Sequence, residues 1–253
     1  TSGLGNGFIT DIKVIGNNVW IGCGTRPKAG GDQTIGGGLT LFNGKTFKSF
    51  DLESLKTIDE KFSSIAVIEE DNIGNIWIGT QAGLLKYDGS KFYPFTYKNG
   101  LPMNSRVDDL LFDNNGLWAC TNSGFLNINN KNVKIIFPKS NNISLEFDVV
   151  SSISKSKDGV YFIGAANGVL LYDPNSFRTI TSSEGMPVPS WWGLGILDLE
   201  IDRDGFLWVA SGENGIYKLN NEKIIENFTP KNSEMIRYYT QRIEISRDGS
   251  IWF

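Results

Sequence analysis

The 253-residue chain contains no histidine, and this absence excludes more chemistry than any other feature of its composition. Histidine is the usual general base near neutral pH, the commonest metal ligand and a member of the Ser-His-Asp triad. Imidazole-based metal sites, such triads and histidine-dependent lyase chemistry are therefore excluded within these residues. The acids that could form a glycosidase pair, such as Asp108, Asp109, Glu69 and Glu70, show no pairing in the sequence. We predict a non-catalytic protein with no metal and no other cofactor.

Positive charge, long apolar runs and a disulfide pattern are also scarce. Lys and Arg total 24 against 28 Asp and Glu, and the net charge of −4 disfavours a nucleic-acid partner. The longest largely apolar stretch, Val160 to Tyr172, is too short to span a bilayer, so we expect no membrane insertion by this segment. Cys23 and Cys120 fall in the first and third repeats described below and are predicted to be buried thiols.

What the sequence does contain is one unit repeated along its length. An aromatic anchor followed by small or branched residues recurs at Trp20, Trp77, Trp118, Phe162, Trp208 and Trp252, at spacings of 41 to 46 residues after the first. Before each later anchor, an apolar strand ends in a turn with Asn or Asp near Gly, which suits a tight hairpin. A third strand and an outer, Lys- and Asn-rich fourth strand follow. Four short strands repeated radially predict a propeller rather than a sandwich.

We therefore predict one all-β domain, a β-propeller or part of one, across residues 1–253. Its four-stranded antiparallel blades are expected at about 8–50, 62–97, 105–137, 147–181 and 194–228, with a partial blade at 240–253. Residues 1–4 look like the tail of a preceding blade, and Phe253 stops just inside a second strand. The expectation is five complete blades and part of a sixth within a larger propeller, for example a seven-bladed one.

The repeat resembles the two-component regulator propeller repeat, most closely in residues 62 to 104. The resemblance is carried by Asp71-Asn72-Ile73-Gly74-Asn75-Ile76-Trp77-Ile78-Gly79-Thr80, then Gly83-Leu84-Leu85-Lys86-Tyr87-Asp88, then Asn99-Gly100-Leu101-Pro102. Other blades depart from the pattern, as where Phe162 replaces the tryptophan. The resemblance implies a periplasmic or extracellular sensor domain of a bacterial hybrid two-component system or related receptor, often for oligosaccharides, with a homodimeric parent receptor as a further expectation.

A propeller's binding surface is commonly the mouth of its central channel, which the connections between fourth and first strands and between second and third strands surround. Aligning the repeats on their anchors places one set of connecting residues there. These candidate ligand-binding residues are Asn6, Phe62, Asn104, Arg106, Trp191, Trp192, Arg237, Tyr238 and Tyr239.

Two groups among these candidates have alternative roles. Trp191 and Trp192 lie outside the anchor position and could stack on sugar rings or anchor a partner protein, or could plug the channel or cover the next blade. Arg106 and Arg237 could hold a carboxylate ligand or pair with a nearby aspartate such as Asp108.

Three functions are consistent with these features. A ligand-sensing propeller predicts a concave, aromatic-lined mouth, whereas a protein–protein scaffold for cell-surface assembly predicts a flat apolar patch. A glycan-processing enzyme predicts two facing carboxylates. The segment beginning Asp202-Arg203-Asp204-Gly205 resembles the start of a calcium loop but lacks the rest of its ligand spacing, so we interpret it as a hairpin turn.

Overall fold

The computed structural model describes residues 8–27, 34–52, 62, 64–129, 132–136, 149–186 and 195–253. Almost all regular structure in these ranges is β-strand, and no helix in them is long and apolar enough to cross a membrane. The described strands form five four-stranded sheets and one two-stranded sheet, each with its strands paired antiparallel in chain order. The predicted fold, an all-β propeller of four-stranded blades with part of a sixth, is confirmed. The chain divides into two compact units, Thr1–Phe137 and Pro138–Phe253.

The first unit contains three blades, numbered 1 to 3, of four strands each. Their strands are β1 (Ile9–Ile15), β2 (Asn18–Pro27), β3 (Thr34–Phe42) and β4 (Phe47–Phe50); β5 (Ile65–Glu70), β6 (Ile76–Thr80), β7 (Gly83–Tyr87) and β8 (Phe92–Phe95); and β9 (Val107–Asp113), β10 (Gly116–Thr121), β11 (Gly124–Asn129) and β12 (Asn132–Ile135). A 3-10 turn at Tyr97–Asn99 follows β8.

The second unit contains blades 4 and 5 and a two-stranded blade 6. Their strands are β13 (Val150–Lys155), β14 (Tyr161–Ala165), β15 (Gly168–Asp173) and β16 (Ser176–Ile180); β17 (Ile196–Ile201), β18 (Leu207–Ser211), β19 (Gly215–Asn220) and β20 (Lys223–Phe228); and β21 (Glu244–Ile245) and β22 (Ile251–Trp252). A second 3-10 turn, Ser182–Glu184, follows β16.

A bulge recurs near the start of the first strand of every complete blade. The register shifts across Thr10 in blade 1, Ala66 in blade 2, Asp108 in blade 3, Ser151 in blade 4 and Leu197 in blade 5. A bulge bends the strand and redirects the side chains beside it. The bulged residue and the residue after it are therefore the positions through which neighbouring first strands interact.

An aspartate organises the hairpin between the first and second strands. In blade 2, Asp71 accepts hydrogen bonds from the backbone N–H groups of Ile73 and Asn75, and from Nε1 of Trp77 at 3.0 Å. Asp202 in blade 5 likewise accepts from Phe206 N and from Trp208 Nε1, at 2.9 and 2.8 Å. The interpretation of the Asp202 segment as a hairpin turn is confirmed, because its carboxylate bonds the turn and the anchor indole.

Within each unit, anchor rings pack on the blade that follows them. Trp20 shares a buried cluster with Ile78 of blade 2, and Trp77 shares one with Leu110 of blade 3. In the second unit, Phe162 packs in the same way with residues of blade 5. This burial joins neighbouring blades through apolar contact, as expected for a repeat that cannot cover both faces of its sheet alone.

The position two residues after an anchor has little space because the next blade's first strand lies against it. A Cβ added at Gly79 would lie 2.9 Å from Val107 Cγ1 and 3.1 Å from the backbone oxygen of Val107. The matching position in blade 3 is Cys120, which is buried like Cys23 in blade 1. Both cysteines are therefore buried thiols, and burial raises the pKa of each above its usual value.

Candidate functional site

In blades 1, 2, 3 and 5, the segment before the first strand is tied to the connection between the second and third strands. The backbone N–H groups of Gly24, Gln81, Asn122 and Gly212 donate to the carbonyl oxygens of Phe8, Ser64, Arg106 and Gly195, respectively. These bonds place the two kinds of connection at the same end of each blade. We call this end the loop face.

Arg106 and Asn104 lie on the loop face of blade 3, and both are exposed. Asn104 adopts a left-handed backbone conformation, with φ of 58°, which asparagine tolerates better than most residues. The side chain of Asn122 accepts from Arg106 N at 2.8 Å and donates to the carbonyl of Asn104 at 3.2 Å. A short polar network therefore fixes the backbone of this loop.

The guanidinium of Arg106 forms the aspartate pair that was one of its two predicted roles. Its Nε lies 2.8 and 3.0 Å from the two carboxylate oxygens of Asp108. The side chain of Arg106 is 45% exposed, so the pair is reached by solvent and adds little stability. The pair positions the rest of the guanidinium, which has further N–H donors for an anionic group on the loop face.

Phe62 lies in the core rather than on a surface. Its side chain is 1% exposed and belongs to the buried cluster of blades 1 and 2 that contains Trp20 and Ile65. Anchor alignment placed its backbone correctly beside β5 but did not specify the direction of its ring. A ligand at the loop face would not touch Phe62 in this arrangement.

Arg237, Tyr238 and Tyr239 form an exposed segment between β20 and β21 in the second unit. The carbonyl of Tyr238 accepts from Gly215 N at 2.9 Å, which ties the segment to the loop face of blade 5. The hydroxyl of Tyr239 accepts from Gln241 Nε2 at 3.0 Å. Two half-exposed tyrosine rings and a cationic side chain are thus presented together. Asn6, Trp191 and Trp192 lie outside the described residues, and the ligand-binding role of all nine candidates stays a prediction.

Ionisable side chains also occupy the first strands. Lys13 of blade 1 and Glu69 of blade 2 form an ion pair at 2.6 Å. Burial raises the pKa of Glu69 above its usual value because it outweighs the attraction of Lys13. Burial alone would lower the pKa of Lys13, but Glu69, with help from Asp11 and Asp109, raises it. Burial disfavours the charged form of both side chains, and the net shift shows that it prevails for Glu69 but not for Lys13.

Asp198 forms a second link, between blades 5 and 6. Its Oδ2 accepts from Ile243 N at 2.8 Å, and its Oδ1 lies 3.7 Å from Nη1 of Arg242. Burial raises the pKa of Asp198 to about 6, although Arg242 and the backbone N–H groups of Ile243 and Leu199 oppose the shift. A carboxylate of this kind can change its charge near neutral pH.

A groove that the sequence analysis missed lies between blades 2 and 3. It has a volume of about 810 Å³ and is lined by, among others, Trp77, Lys86, Phe95, Lys98, Phe112 and Asp113. Its residues come from the strands β6 to β11, from the turns before β6 and β10, and from the 3-10 turn that follows β8. Lys86 sits directly opposite the anchor Trp77 in the β6–β7 ladder, and this is the one signal in the repeat that could have indicated a cation there.

The fold and its repeated loop face define the chain as part of a β-propeller. No protein-family model matches the chain, and no curated protein does so either. Solved structures do match. One is the extracellular domain of the hybrid two-component system BT3049 from B. thetaiotaomicron, which matches with a TM-score of 0.76 and 23% identity over 100% of this chain and 32% of its own. This chain thus spans about a third of that domain's length.

Two further structures share the fold at lower identity. Virginiamycin B lyase from Staphylococcus aureus matches with a TM-score of 0.70 and 14% identity, over 97% of this chain and 77% of its own. PorZ, described as an essential surface component of the type-IX secretion system of Porphyromonas gingivalis, matches with a TM-score of 0.50 and 14% identity, over 96% and 44%. At these identities the likeness shows the propeller fold alone.

Proposed function

We propose that this chain is the non-catalytic recognition propeller of a bacterial extracytoplasmic receptor, and that it binds a small molecule or oligosaccharide at its loop face. The observation that carries the proposal is the match of the whole chain to the extracellular domain of a hybrid two-component system, with a TM-score of 0.76. The resemblance of residues 62 to 104 to two-component regulator propeller repeats supports the same assignment and a periplasmic or extracellular location.

The chemistry of the loop face supports recognition of a polar ligand. Arg106 offers guanidinium donors beside the amide of Asn122, on a loop whose backbone is already fixed. In the second unit, Tyr238 and Tyr239 offer aromatic rings with polar ends next to Arg237. Ring surfaces and planar donors are the groups that commonly orient polar ligands.

A non-catalytic role is favoured over the lyase chemistry known for one structural neighbour. A variant of virginiamycin B lyase in which one histidine is replaced by alanine is catalytically inactive. The 253 residues of this chain contain no histidine, so they cannot supply an equivalent group. Fold likeness does not carry activity, because function resides in the residues of the site.

Binding could be transmitted through bonds that join the loop faces of neighbouring blades. Thr25 N, in blade 1, donates to Ser64 Oγ, just before β5 of blade 2, at 3.1 Å. A ligand that displaces either segment would change this contact and so the packing of two blades. The signal in the intact receptor would then be a shift in blade packing or in dimer geometry.

The proposal is tested by thermal unfolding of the full chain with a panel of oligosaccharides and small carboxylates. We expect one ligand class to raise Tm by mass action, and expect the Trp191→Ala/Trp192→Ala variant to lose that shift while keeping its unliganded Tm. Tyr93→Ala serves as a control, because Tyr93 is an exposed aromatic on the outer strand of blade 2. If no compound changes Tm, the recognition proposal fails, and a search for a protein partner replaces it.

A further inference from the structure

The groove between blades 2 and 3 differs from the corresponding region between blades 1 and 2. There, Trp20, Phe50, Tyr87 and Phe92 form a continuous set of ring contacts with centroid distances of 4.6 to 5.7 Å. Between blades 2 and 3, Phe95 contacts the Trp77 ring edge-on at 6.1 Å, and a volume of about 810 Å³ stays open beside them. Volumes of this size are typical of ligand sites.

The carboxylates that line the groove are already engaged in their own hairpins. Asp71 accepts four hydrogen bonds, including those from Asn75 Nδ2 and Trp77 Nε1, and is buried. Burial alone would raise its pKa, but these bonds together lower the pKa of Asp71 below its usual value. Asp113 accepts from Asn115 N and from Trp118 Nε1. Both carboxylates are therefore directed into the protein by their donors.

The two lysines of the groove have no such partners. Lys86 Nζ lies 5.5 Å from the centroid of the Trp77 ring, and Lys98 Nζ lies 5.7 Å from that of Tyr97. Within the ranges that the structure describes, neither lysine forms an ion pair. Asp71 and Asp113 stay ionised, but their oxygens accept hydrogen bonds from their own hairpins, so Lys86 and Lys98 are the cations that the groove offers to an anionic occupant.

The apolar part of the groove indicates which anionic occupant fits. A sugar ring would need an open aromatic face, but Trp77 is only 9% exposed and Lys86 covers part of its ring. Phe95 and Phe112 are partly buried and form a recess suited to an aliphatic or aromatic side chain. The exposed amides of Asn72 and Asn114, in the two hairpin turns, can donate to peptide carbonyl groups.

We propose that this groove binds an acidic peptide segment, whose carboxylates pair with Lys86 and Lys98 and whose apolar side chain enters the recess at Phe95 and Phe112. Apart from the 3-10 turn that carries Lys98, the site lies outside the loop face, and the proposal does not depend on ligand recognition there. A protein partner that presents Asp or Glu next to an apolar residue would be recognised through its charge and through burial of the apolar side chain together.

The probe for this site is a fluorescein-labelled hexapeptide of alternating aspartate and leucine, titrated into the full chain while anisotropy is recorded. We expect saturable binding that weakens as salt is added. The same peptide with asparagine in place of aspartate is expected to bind at least tenfold more weakly. The Lys86→Gln/Lys98→Gln variant is expected to lose at least tenfold in affinity, and Lys86→Arg/Lys98→Arg to retain binding.

Lys218→Gln is the matched control. Lys218 lies opposite the anchor Trp208 in blade 5, with Nζ 4.9 Å from its ring, as Lys86 lies opposite Trp77. We expect this variant to bind within twofold of the original chain. Unchanged far-UV circular dichroism and Tm in all variants exclude loss of folding as the cause.

Several results would overturn the proposal. They are the absence of binding at millimolar protein, equal binding of the asparagine peptide, and full binding by the glutamine variant. Displacement by a chondroitin sulfate tetrasaccharide at lower concentration than by unlabelled peptide would assign the groove to a saccharide instead. Loss of peptide binding in an Arg106→Gln variant would move the peptide to the loop face. None of these results bears on the thermal-shift test of the proposed function.

Discussion

The interface between blades 1 and 2 and that between blades 2 and 3 use the same repeat but are joined differently. On the first strands of blades 1 and 2, Thr10 Oγ1 donates to Ile65 O at 2.7 Å, and Asp11 Oδ2 accepts from Ile68 N at 2.6 Å. The matching positions of blade 2 are Ala66 and Val67. Their side chains can neither donate nor accept hydrogen bonds, so this edge of the second interface relies on apolar contact.

The fourth strands of blades 1 and 2 also differ in how closely they fill the interface with the following blade. Phe50 of β4 contacts Trp20, Tyr87 and Phe92 and fills the space between blades 1 and 2. Phe95 occupies the matching position of β8, opposite the first leucine of its third strand, but its ring contacts only Trp77 among the described aromatic residues. In a repeat protein, stability is approximately a sum over such interfaces. One interface can therefore stay open where another is tightly filled.

The largest expected effect comes from emptying the filled interface. We expect Phe50→Ala to lower the free energy of unfolding by about 3 kcal/mol, because it removes three ring contacts and leaves a cavity. Phe95→Ala should cost about half as much, roughly 1.5 kcal/mol, because its space already adjoins the groove. Urea unfolding of both variants measures the difference. Equal losses would show that the two interfaces contribute alike and that the aromatic filling has no special role.

The repeat and its turns could be predicted from the sequence because their signals are local. Asn or Asp beside Gly marks each hairpin, and the anchor aromatic follows a few residues beyond it, as Trp77 follows Asp71. The groove could not be predicted, because it depends on how far apart the outer strands of blades 2 and 3 lie. Phe62 shows the remaining difficulty: alignment placed its backbone next to the loop face, but packing turned its ring into the core.

Asp198 is a further polar link between first strands. It occupies in blade 5 the position that Asp11 occupies in blade 1. Its folded pKa of about 6 lies above the ordinary value of 3.8, so the folded state binds more protons between these values. The free energy of unfolding should therefore fall as pH rises from about 4 to 6. Two pKa units correspond to about 3 kcal/mol, which sets the order of magnitude of the expected change.

The measurement is urea unfolding of the original chain and of Asp198→Asn at several pH values between 4 and 7. We expect the difference in stability between them to change over this range, because asparagine does not titrate. Asp158→Asn alters an exposed turn carboxylate of blade 4 and serves as the control, which should leave the pH dependence unchanged. A constant difference between the original chain and Asp198→Asn would mean that Asp198 titrates normally and that burial does not control its charge.

The smallest expected effect concerns Ser152, which holds the same position in blade 4. It is fully buried, and its Oγ has no hydrogen-bond partner among the residues that the structure describes. A buried hydroxyl without a partner carries its desolvation cost uncompensated, so Ser152→Ala should raise the free energy of unfolding by up to about 1 kcal/mol.

The neighbouring Ser151 Oγ donates to Ile196 O of blade 5 at 2.5 Å, and Ser151→Ala should lower the free energy of unfolding by about 1 kcal/mol. Opposite signs of the change in the free energy of unfolding for Ser151→Ala and Ser152→Ala would show that a serine here strengthens the interface only where its hydroxyl reaches the next strand. A loss of stability in both variants would show that Ser152 has a partner after all.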